Sequence, residues 1–222
     1  VYQFKIPESK SVVIKNAIEK INFEEKPKDK INLIYHTTPW RGLKFLLEVF
    51  KNLNRPDVEL NICSSIKIYG KKFDDAFSKK YEKIFEECKN TKNANYLGFV
   101  ENSNIIKLLK KTHIFSFPSV WPETSCISAI ESMAAGCEVV STNLGAIYET
   151  CAPFAKLIGF NRNFDEMQNK FKGALLSSID NFWSSENQKK MKLQRETINL
   201  LYSWERRSIE WKNFFDEARD LK

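Results

Sequence analysis

Short apolar runs alternate with longer amphipathic segments along most of this chain, and that alternation constrains the fold more than any other feature. Five runs have the length and apolar content of buried strands: 31–37, 58–65, 95–100, 113–120 and 137–143. The segments between them repeat their apolar residues at helical spacing. Regular alternation of this kind is typical of a parallel sheet with helices on both faces. We therefore predict an α/β fold that closes with a mostly helical segment after Phe160.

The length and the cysteine content narrow the class of protein further. A chain of 222 residues can bury a substantial core, and no apolar run approaches the roughly 20 residues that a membrane-spanning helix needs. The N-terminus lacks the apolar core of a signal peptide. Five cysteines, odd in number and without CxxC pairing, favour reduced thiols and argue against a zinc site. These features predict a cytoplasmic protein.

The net charge of +7 is compatible with nucleic acid, an anionic membrane surface or a phosphate-bearing small ligand. The lysines are scattered along amphipathic segments, and no cluster of arginine with aromatic residues indicates a nucleic-acid platform. We expect most of the charge to lie on a solvated face and no nucleic acid to bind, although a basic nucleic-acid-binding protein is kept as a distant alternative. Peripheral contact with an anionic membrane, at its inner face, stays open.

The stretch HTTPWRG, residues 36–42, follows a predicted strand and combines a helix start with a cation. Thr38 and Pro39 predict the beginning of a helix, whose free N–H groups would lie beside Arg41. Ligands of open parallel sheets collect at the carboxyl ends of the strands, and a helix N-terminus and a guanidinium can act on the same phosphate there. The stretch is a candidate anion site. The alternative is a surface arginine near a capped helix.

The stretch WPETSCISAIESMAAG, residues 121–136, sets Glu123 and Glu131 eight positions apart among small and apolar residues. Pro118 and Pro122 keep the chain before Glu123 extended, so this acid is expected in the loop and Glu131 about two turns into the following helix. A buried carboxylate needs partners, and sugar hydroxyls are suitable donors. Two acids that each hold a sugar ring fit a nucleotide sugar. Alternatively, Glu131 forms a salt bridge with a neighbouring element and Glu123 is an exposed loop acid.

Residues 118–150 resemble the signature of the retaining glycosyltransferases of family 4. The matching features are Glu123 and Glu131, a helix of small residues, Gly136, a Val-rich strand, and a Gly-x-x-x-Glu pattern that ends at Glu149. Other segments are similar to the family in the same order: 12–18, 41–43, 96–100 and 202–211. The resemblance implies the GT-B architecture, in which two Rossmann-like domains face each other. This chain matches only the C-terminal, donor-binding half.

By this resemblance, residues 1–222 form a Rossmann-like domain for a nucleotide-sugar donor, with 1–20 as a linker that leads into it and 161–222 as a C-terminal helical segment. The N-terminal acceptor-binding domain is absent from the chain, which is therefore not expected to be active by itself. The implied reaction is retaining transfer of a hexose from a UDP-, GDP- or ADP-sugar to a glycan or lipid-linked acceptor, as in polysaccharide biosynthesis. The alternative is a nucleotide-sugar-binding module without transferase activity.

The resemblance also implies roles for individual residues. Arg41 would neutralise the departing diphosphate, and Glu123 would bind the transferred sugar, which makes these two the catalytic candidates. Glu131 would bind the ribose hydroxyls. The turn at 98–100 would line the base, and the backbone N–H groups of 124–127 would bind the sugar and the diphosphate. The donor-binding candidates are thus Glu131 together with His36, Gly98, Phe99, Val100, Thr124, Ser125, Cys126 and Ile127.

Two positions depart from the family pattern. His36 stands where an arginine is common, so one of two usual phosphate cations is missing or replaced. Cys126 stands where a glycine is common and either narrows the sugar pocket or places a small buried side chain beside it; we do not expect a nucleophile, because no histidine lies nearby in sequence. His113 is expected to be structural. No Asp-x-Asp occurs in the sequence, so we expect a donor site that needs neither a metal nor a cofactor.

Overall fold

A six-stranded parallel sheet forms the centre of the computed structural model, which describes residues 5–220. The outermost residues of the predicted segments 1–20 and 161–222, namely 1–4 and 221–222, lie outside this range. The strands are β1 (Ile31–Tyr35), β2 (Val58–Ile62), β3 (Ala94–Tyr96), β4 (Ile114–Phe117), β5 (Glu138–Asn143) and β6 (Lys156–Gly159). Their order across the sheet is β3-β2-β1-β4-β5-β6. The predicted α/β fold class is confirmed.

All five predicted strands are present, but each is shorter than expected and a sixth was missed. The third strand ends at Tyr96, so residues 97–101 form a turn rather than a continuation of the strand. The sixth, β6, pairs with the end of β5 at the edge of the sheet, where Lys156 lies opposite Val140. Four residues that begin with a lysine make too short an apolar run to be recognised as a strand.

The α-helices in the described range cover both faces of the sheet. They are α1 (Leu43–Lys51), α2 (Lys71–Lys89), α3 (Asn102–Lys111), α4 (Ile127–Ala134), α5 (Ile147–Cys151), α6 (Phe164–Asn181), α7 (Ser185–Leu201) and α8 (Trp204–Asp220). Helix α6 packs on β4, β5, β6 and α1, whereas α4 packs on β5 together with α3, α5 and α7. Within the described range, no helix combines the length and the apolar character required to cross a bilayer.

Side chains from distant parts of the chain fix the C-terminal end of α4. Gln194 of α7 donates from Nε2 to the carbonyl of Met133 (3.1 Å) and to that of Cys137 (2.9 Å). The buried Lys26 ammonium donates to the carbonyl of Ala135 at 3.3 Å. The last carbonyls of a helix lack partners within the helix and carry its negative end, so a cation and an amide stabilise them. These contacts hold α4 in place while its other end faces the candidate site.

Candidate functional site

A cleft of about 530 Å³ lies at the carboxyl ends of the strands. The sheet order reverses between β1 and β4, since β1 has its sequence neighbour β2 on one side and β4 on the other. Such a reversal leaves a crevice in which ligands of open parallel sheets bind. The segments that line the cleft follow β1, β2 and β3 and include the first turns of α3 and α4. The sequence analysis predicted the two candidate stretches, 36–42 and 121–136, at this edge of the sheet.

The cleft brings together most of the residues that the sequence singled out. Its lining includes His36, Arg41, Gly98, Phe99, Val100, Ser125, Cys126, Ile127 and Glu131. Glu123 and Thr124 are not part of the lining. Sequence reasoning missed Tyr69 and Asn102, which do line the cleft. Neither belongs to a motif that the sequence analysis used, and only their position after β2 and β3 could have suggested them.

Arg41 and Glu123 form an ion pair beside the cleft, in which Nη1 donates to Oε2. The side chain of Glu123 is only 2% exposed and that of Arg41 is 25% exposed. Burial raises the pKa of the Glu123 carboxyl, and the neighbouring guanidinium opposes that shift. Glu123 lies in the loop before α4, as predicted, but it is not an exposed acid. Arg41 Nε and Glu123 Oε1 are buried and have no hydrogen-bond partner among the side chains and backbone groups that the structure describes, so both groups can bond further.

Two glycines bring the backbones of this pair into place. Gly42 has φ 124°, and a Cβ on it would lie 2.1 Å from the carbonyl oxygen of Pro118, which follows β4. Gly145 has φ 67° and lies against the backbone of Glu123, whose carbonyl accepts from the N–H of Ala146 at 2.6 Å. Only glycine tolerates both the positive φ and the close approach. The Arg41 and Glu123 segments are therefore held next to each other by main-chain contacts.

The helix start predicted at Thr38 and Pro39 is wrong in detail. Residues Pro39–Arg41 form a short 3-10 helix, and α1 begins only at Leu43. The side chain of Thr38 makes no capping hydrogen bond. The left-handed backbone at Gly42 interrupts the helix, because an α-helix needs negative φ throughout. As a result, Arg41 precedes α1 and projects from the tight turn between the 3-10 helix and α1.

Glu131 is the fifth residue of α4, about one turn into the helix rather than two. Its Oε1 accepts a hydrogen bond from Nδ2 of Asn102 at 2.9 Å. The residue is 9% exposed, and burial raises the pKa of its carboxyl while the hydrogen bond from Asn102 opposes the shift. In the part of the chain that the structure describes, Glu131 has no ion-pair partner, so the alternative of a salt bridge is not observed. Its carboxylate is presented to the cleft.

The N-terminus of α4 is the second feature of the cleft that can bind an anion. Ser125, Cys126, Ile127 and Ser128 all line the cleft, and Cys126 supplies no side-chain cap. The first N–H groups of a helix lack partners within the helix and form its positive end. Ser125 Oγ accepts from Nδ2 of Asn16 at 3.0 Å, which ties the segment before β1 to this loop. Arg41 and the helix end together suit a ligand with several negative charges.

His36 and Cys126 depart from the family pattern. Both are buried and uncharged at neutral pH. The His36 ring packs against Phe115 and shares a 2.9 Å hydrogen bond with Ser132 Oγ, and burial lowers its pKa to about 3. An uncharged ring supplies no positive charge to an anion. Burial raises the pKa of the Cys126 thiol to about 12, which fits the expectation that it is no nucleophile. His113 is fully buried and both ring nitrogens bond to backbone groups, as expected for a structural residue.

The strand order and the cleft at its reversal place this protein among the Rossmann-like, ligand-binding α/β domains. Comparison with known proteins narrows the class. A sequence profile of the family described as Glycosyl transferases group 1 matches residues 14–193, and the chain belongs to this family.

Similar proteins of known sequence or structure are glycosyltransferases. An uncharacterized glycosyltransferase of Methanocaldococcus jannaschii is 28% identical over 66% of this chain and 40% of its own length. A glycosyltransferase structure from Rickettsia africae superposes with a TM-score of 0.75 at 19% identity, over 96% of this chain and 59% of the other. The pneumococcal O-GlcNAc transferase GtfA, solved with UDP and GlcNAc, gives a TM-score of 0.61 at 14% identity, over 90% of this chain and 38% of the other. This chain thus spans less than two thirds of the length of each relative.

Proposed function

We propose that this chain is the donor-binding domain of a retaining hexosyltransferase and that its cleft binds a nucleoside diphosphate sugar. The observation that supports this most is the convergence of Arg41, the N-terminus of α4 and the Glu131 carboxylate on one cleft. A nucleoside diphosphate sugar carries a matching set of groups, namely an anionic diphosphate and two sugar rings that bear hydroxyl groups. The family membership supports glycosyl transfer as the reaction.

In this proposal the diphosphate lies between Arg41 and the first N–H groups of α4. Among the described residues that line the cleft, Arg41 is the permanent cation, since His36 is neutral at physiological pH. Negative charge develops on the diphosphate as the bond to the sugar breaks. A preorganised guanidinium and a helix N-terminus stabilise that charge most strongly where water is excluded. Arg41 therefore receives the catalytic role.

The transferred hexose is assigned to the region of Glu123, which lies behind Arg41. One carboxylate oxygen of Glu123 is bonded to Arg41, and the other is buried without a hydrogen-bond partner within residues 5–220. A sugar hydroxyl would supply the missing donor. Since Glu123 does not line the cleft, we expect Arg41 to turn toward the diphosphate when the donor binds, which opens the carboxylate to the sugar.

The acceptor, a glycan or a lipid-linked sugar, is assigned to a separate N-terminal domain. The limited share of each relative that this chain covers supports the assignment. The five free cysteines support a cytoplasmic location, and the net charge of +7 is compatible with peripheral contact with an anionic membrane surface.

Replacing Glu131 with alanine should weaken binding of the matching nucleoside diphosphate by about 1–3 kcal/mol, because hydrogen bonds between the carboxylate and the ribose hydroxyls are lost. Calorimetric titration with UDP, GDP and ADP measures this loss. Glu217→Ala is the control, since Glu217 is exposed, lies outside the segments that resemble the family signature and does not line the cleft. Equal affinities of the wild type and Glu131→Ala would contradict the ribose assignment. Failure of the wild type to bind any of the three nucleotides would contradict the proposed function.

Binding should also be independent of divalent metal, because Arg41 and helix N–H groups are expected to meet the phosphates. Within the described residues, no group of three or more His, Cys, Asp or Glu side chains could hold a metal ion. The affinity for the nucleotide is measured in the presence of Mg²⁺ and again with a chelator. A change of less than about tenfold, or ~1.4 kcal/mol, is expected. A larger loss on chelation would show that a metal takes part.

A further inference from the structure

Asn102 is the residue through which the turn after β3 reaches the carboxylate of α4. It is the first residue of α3, it lines the cleft, and its Nδ2 lies 2.9 Å from Glu131 Oε1. An ionised carboxylate only accepts hydrogen bonds, so the amide must face it with the NH₂ group. The contact therefore has a fixed direction, from the asparagine to the glutamate.

This is the one hydrogen bond that the described side chains donate to the Glu131 carboxylate. A carboxylate that is mostly buried and has no cation beside it is free to change its rotamer or to take up a proton. The bond from Asn102 opposes both changes, since it favours the ionised form and fixes the position of Oε1. Oε2 has no such partner in the described part of the chain and stays available to a ligand.

We propose that Asn102 is a positioning residue that holds Glu131 in the rotamer and the ionised state needed to accept both hydroxyls of the nucleotide ribose. The inference rests on the proposed function, because it assigns the ribose to Glu131. Asn102 acts through the carboxylate and not by contact with the reacting atoms. Its effect should therefore depend on the presence of ribose hydroxyls in the ligand.

The local structure allows Asn102 to be changed without harm to the fold. Glu101, and not Asn102, occupies the capping position of α3, and the Asn102 side chain is exposed. Asn104 offers a matched control in the same helical turn. It is exposed, does not line the cleft, and its Oδ1 accepts only from Lys107 Nζ, at 3.1 Å.

The test compares UDP with 2′,3′-dideoxy-UDP, and GDP and ADP with their dideoxy forms, by calorimetry. We expect the wild type to prefer the ribose form of its nucleotide by at least about tenfold, or ~1.4 kcal/mol. Asn102→Ala should reduce that preference to less than about threefold by weakening the ribose form, with little change for the dideoxy form. Asn102→Asp keeps the shape of the side chain, but an ionised aspartate cannot donate a hydrogen bond to Glu131. This variant should therefore lose at least as much of the preference for the ribose form as Asn102→Ala does. Asn104→Ala should keep the full preference.

Two outcomes would overturn the proposal, and they differ from failure of the proposed function. If Asn102→Ala or Asn102→Asp keeps the wild-type preference while Glu131→Gln loses it, the ribose site is right and the positioning role of Asn102 is wrong. If the wild type binds no nucleoside diphosphate, or binds ribose and dideoxy forms equally, both the ribose site and the proposal fail. Thermal melting of each variant confirms that the comparison is made between folded proteins.

Discussion

The 222 residues by themselves are expected to bind the sugar donor but to transfer its sugar several orders of magnitude more slowly than the same residues joined to an acceptor-binding domain. In the proposed function, the cleft residues all serve the donor. Transfer also requires an acceptor hydroxyl held in line and water excluded by a facing surface. Positioning of two reactants is worth up to roughly 7–11 kcal/mol in favourable cases. Without a bound acceptor, that contribution is not available to the reaction.

The test uses the nucleotide sugar that binds best, with its sugar labelled, and measures transfer of the label to glycan and lipid acceptors by both proteins. Donor affinity should agree within about threefold between the two proteins, since the cleft is the same. Slow hydrolysis of the donor by the 222 residues is compatible with the proposal. Transfer at a rate equal to that of the two-domain protein would contradict it, because these residues would then contain the acceptor site as well.

Gly42→Ala is expected to lower the free energy of unfolding by about 3–5 kcal/mol, the sum of backbone strain and overpacking. The φ of 124° at this position is unfavourable for any residue with a Cβ. The new methyl group would also lie 2.1 Å from the carbonyl oxygen of Pro118, and backbone cannot move aside as a side chain can. Relief of the clash would separate Arg41 from β4, so nucleotide affinity should fall together with stability.

Denaturant unfolding of the wild type, Gly42→Ala and Gly173→Ala measures the change in the free energy of unfolding. Gly173 lies in α6, and a Cβ on it meets nothing within 4 Å. Alanine at that position should leave stability unchanged or raise it by up to about 1 kcal/mol, because glycine is a poor helix former. If the two alanine variants unfold at the same denaturant concentration, a side chain at position 42 does not cause the strain and the clash with Pro118 that the structure indicates.

The sequence predicted the fold well because its signals are local. Strand β1 is mostly apolar and strand β5 contains two adjacent valines, and clear turn and helix signals precede or follow both, so their existence is visible in short windows. Strand β6 was not predicted because neighbouring elements bury an edge strand less, so it needs fewer apolar residues. The helix start at Thr38 was placed wrongly because the positive φ of Gly42 is set by the approach of Pro118, a residue far away in sequence.

For the candidate site, the sequence identified the groups but not their partners. Arg41, Glu123 and Glu131 were singled out by residue type and position after strands. Their contacts could not be read from the sequence, since Arg41 and Glu123 are separated by 82 residues and Asn102 and Glu131 by 29. Whether an acid is exposed, paired with a cation or bonded to an amide depends on which loops meet at the edge of the sheet.

The sequence alone therefore determined the α/β class, the segments that carry the acids and the cation, and the resemblance to a glycosyltransferase family, because periodicity and motif spacing are properties of neighbouring residues. The tertiary structure alone decided that Glu123 is buried against Arg41, that Asn102 donates a hydrogen bond to Glu131, and that burial lowers the pKa of His36. These features depend on burial and on contacts between distant segments. They arise only when the strand order β3-β2-β1-β4-β5-β6 brings the ends of β1, β3 and β4 to one cleft.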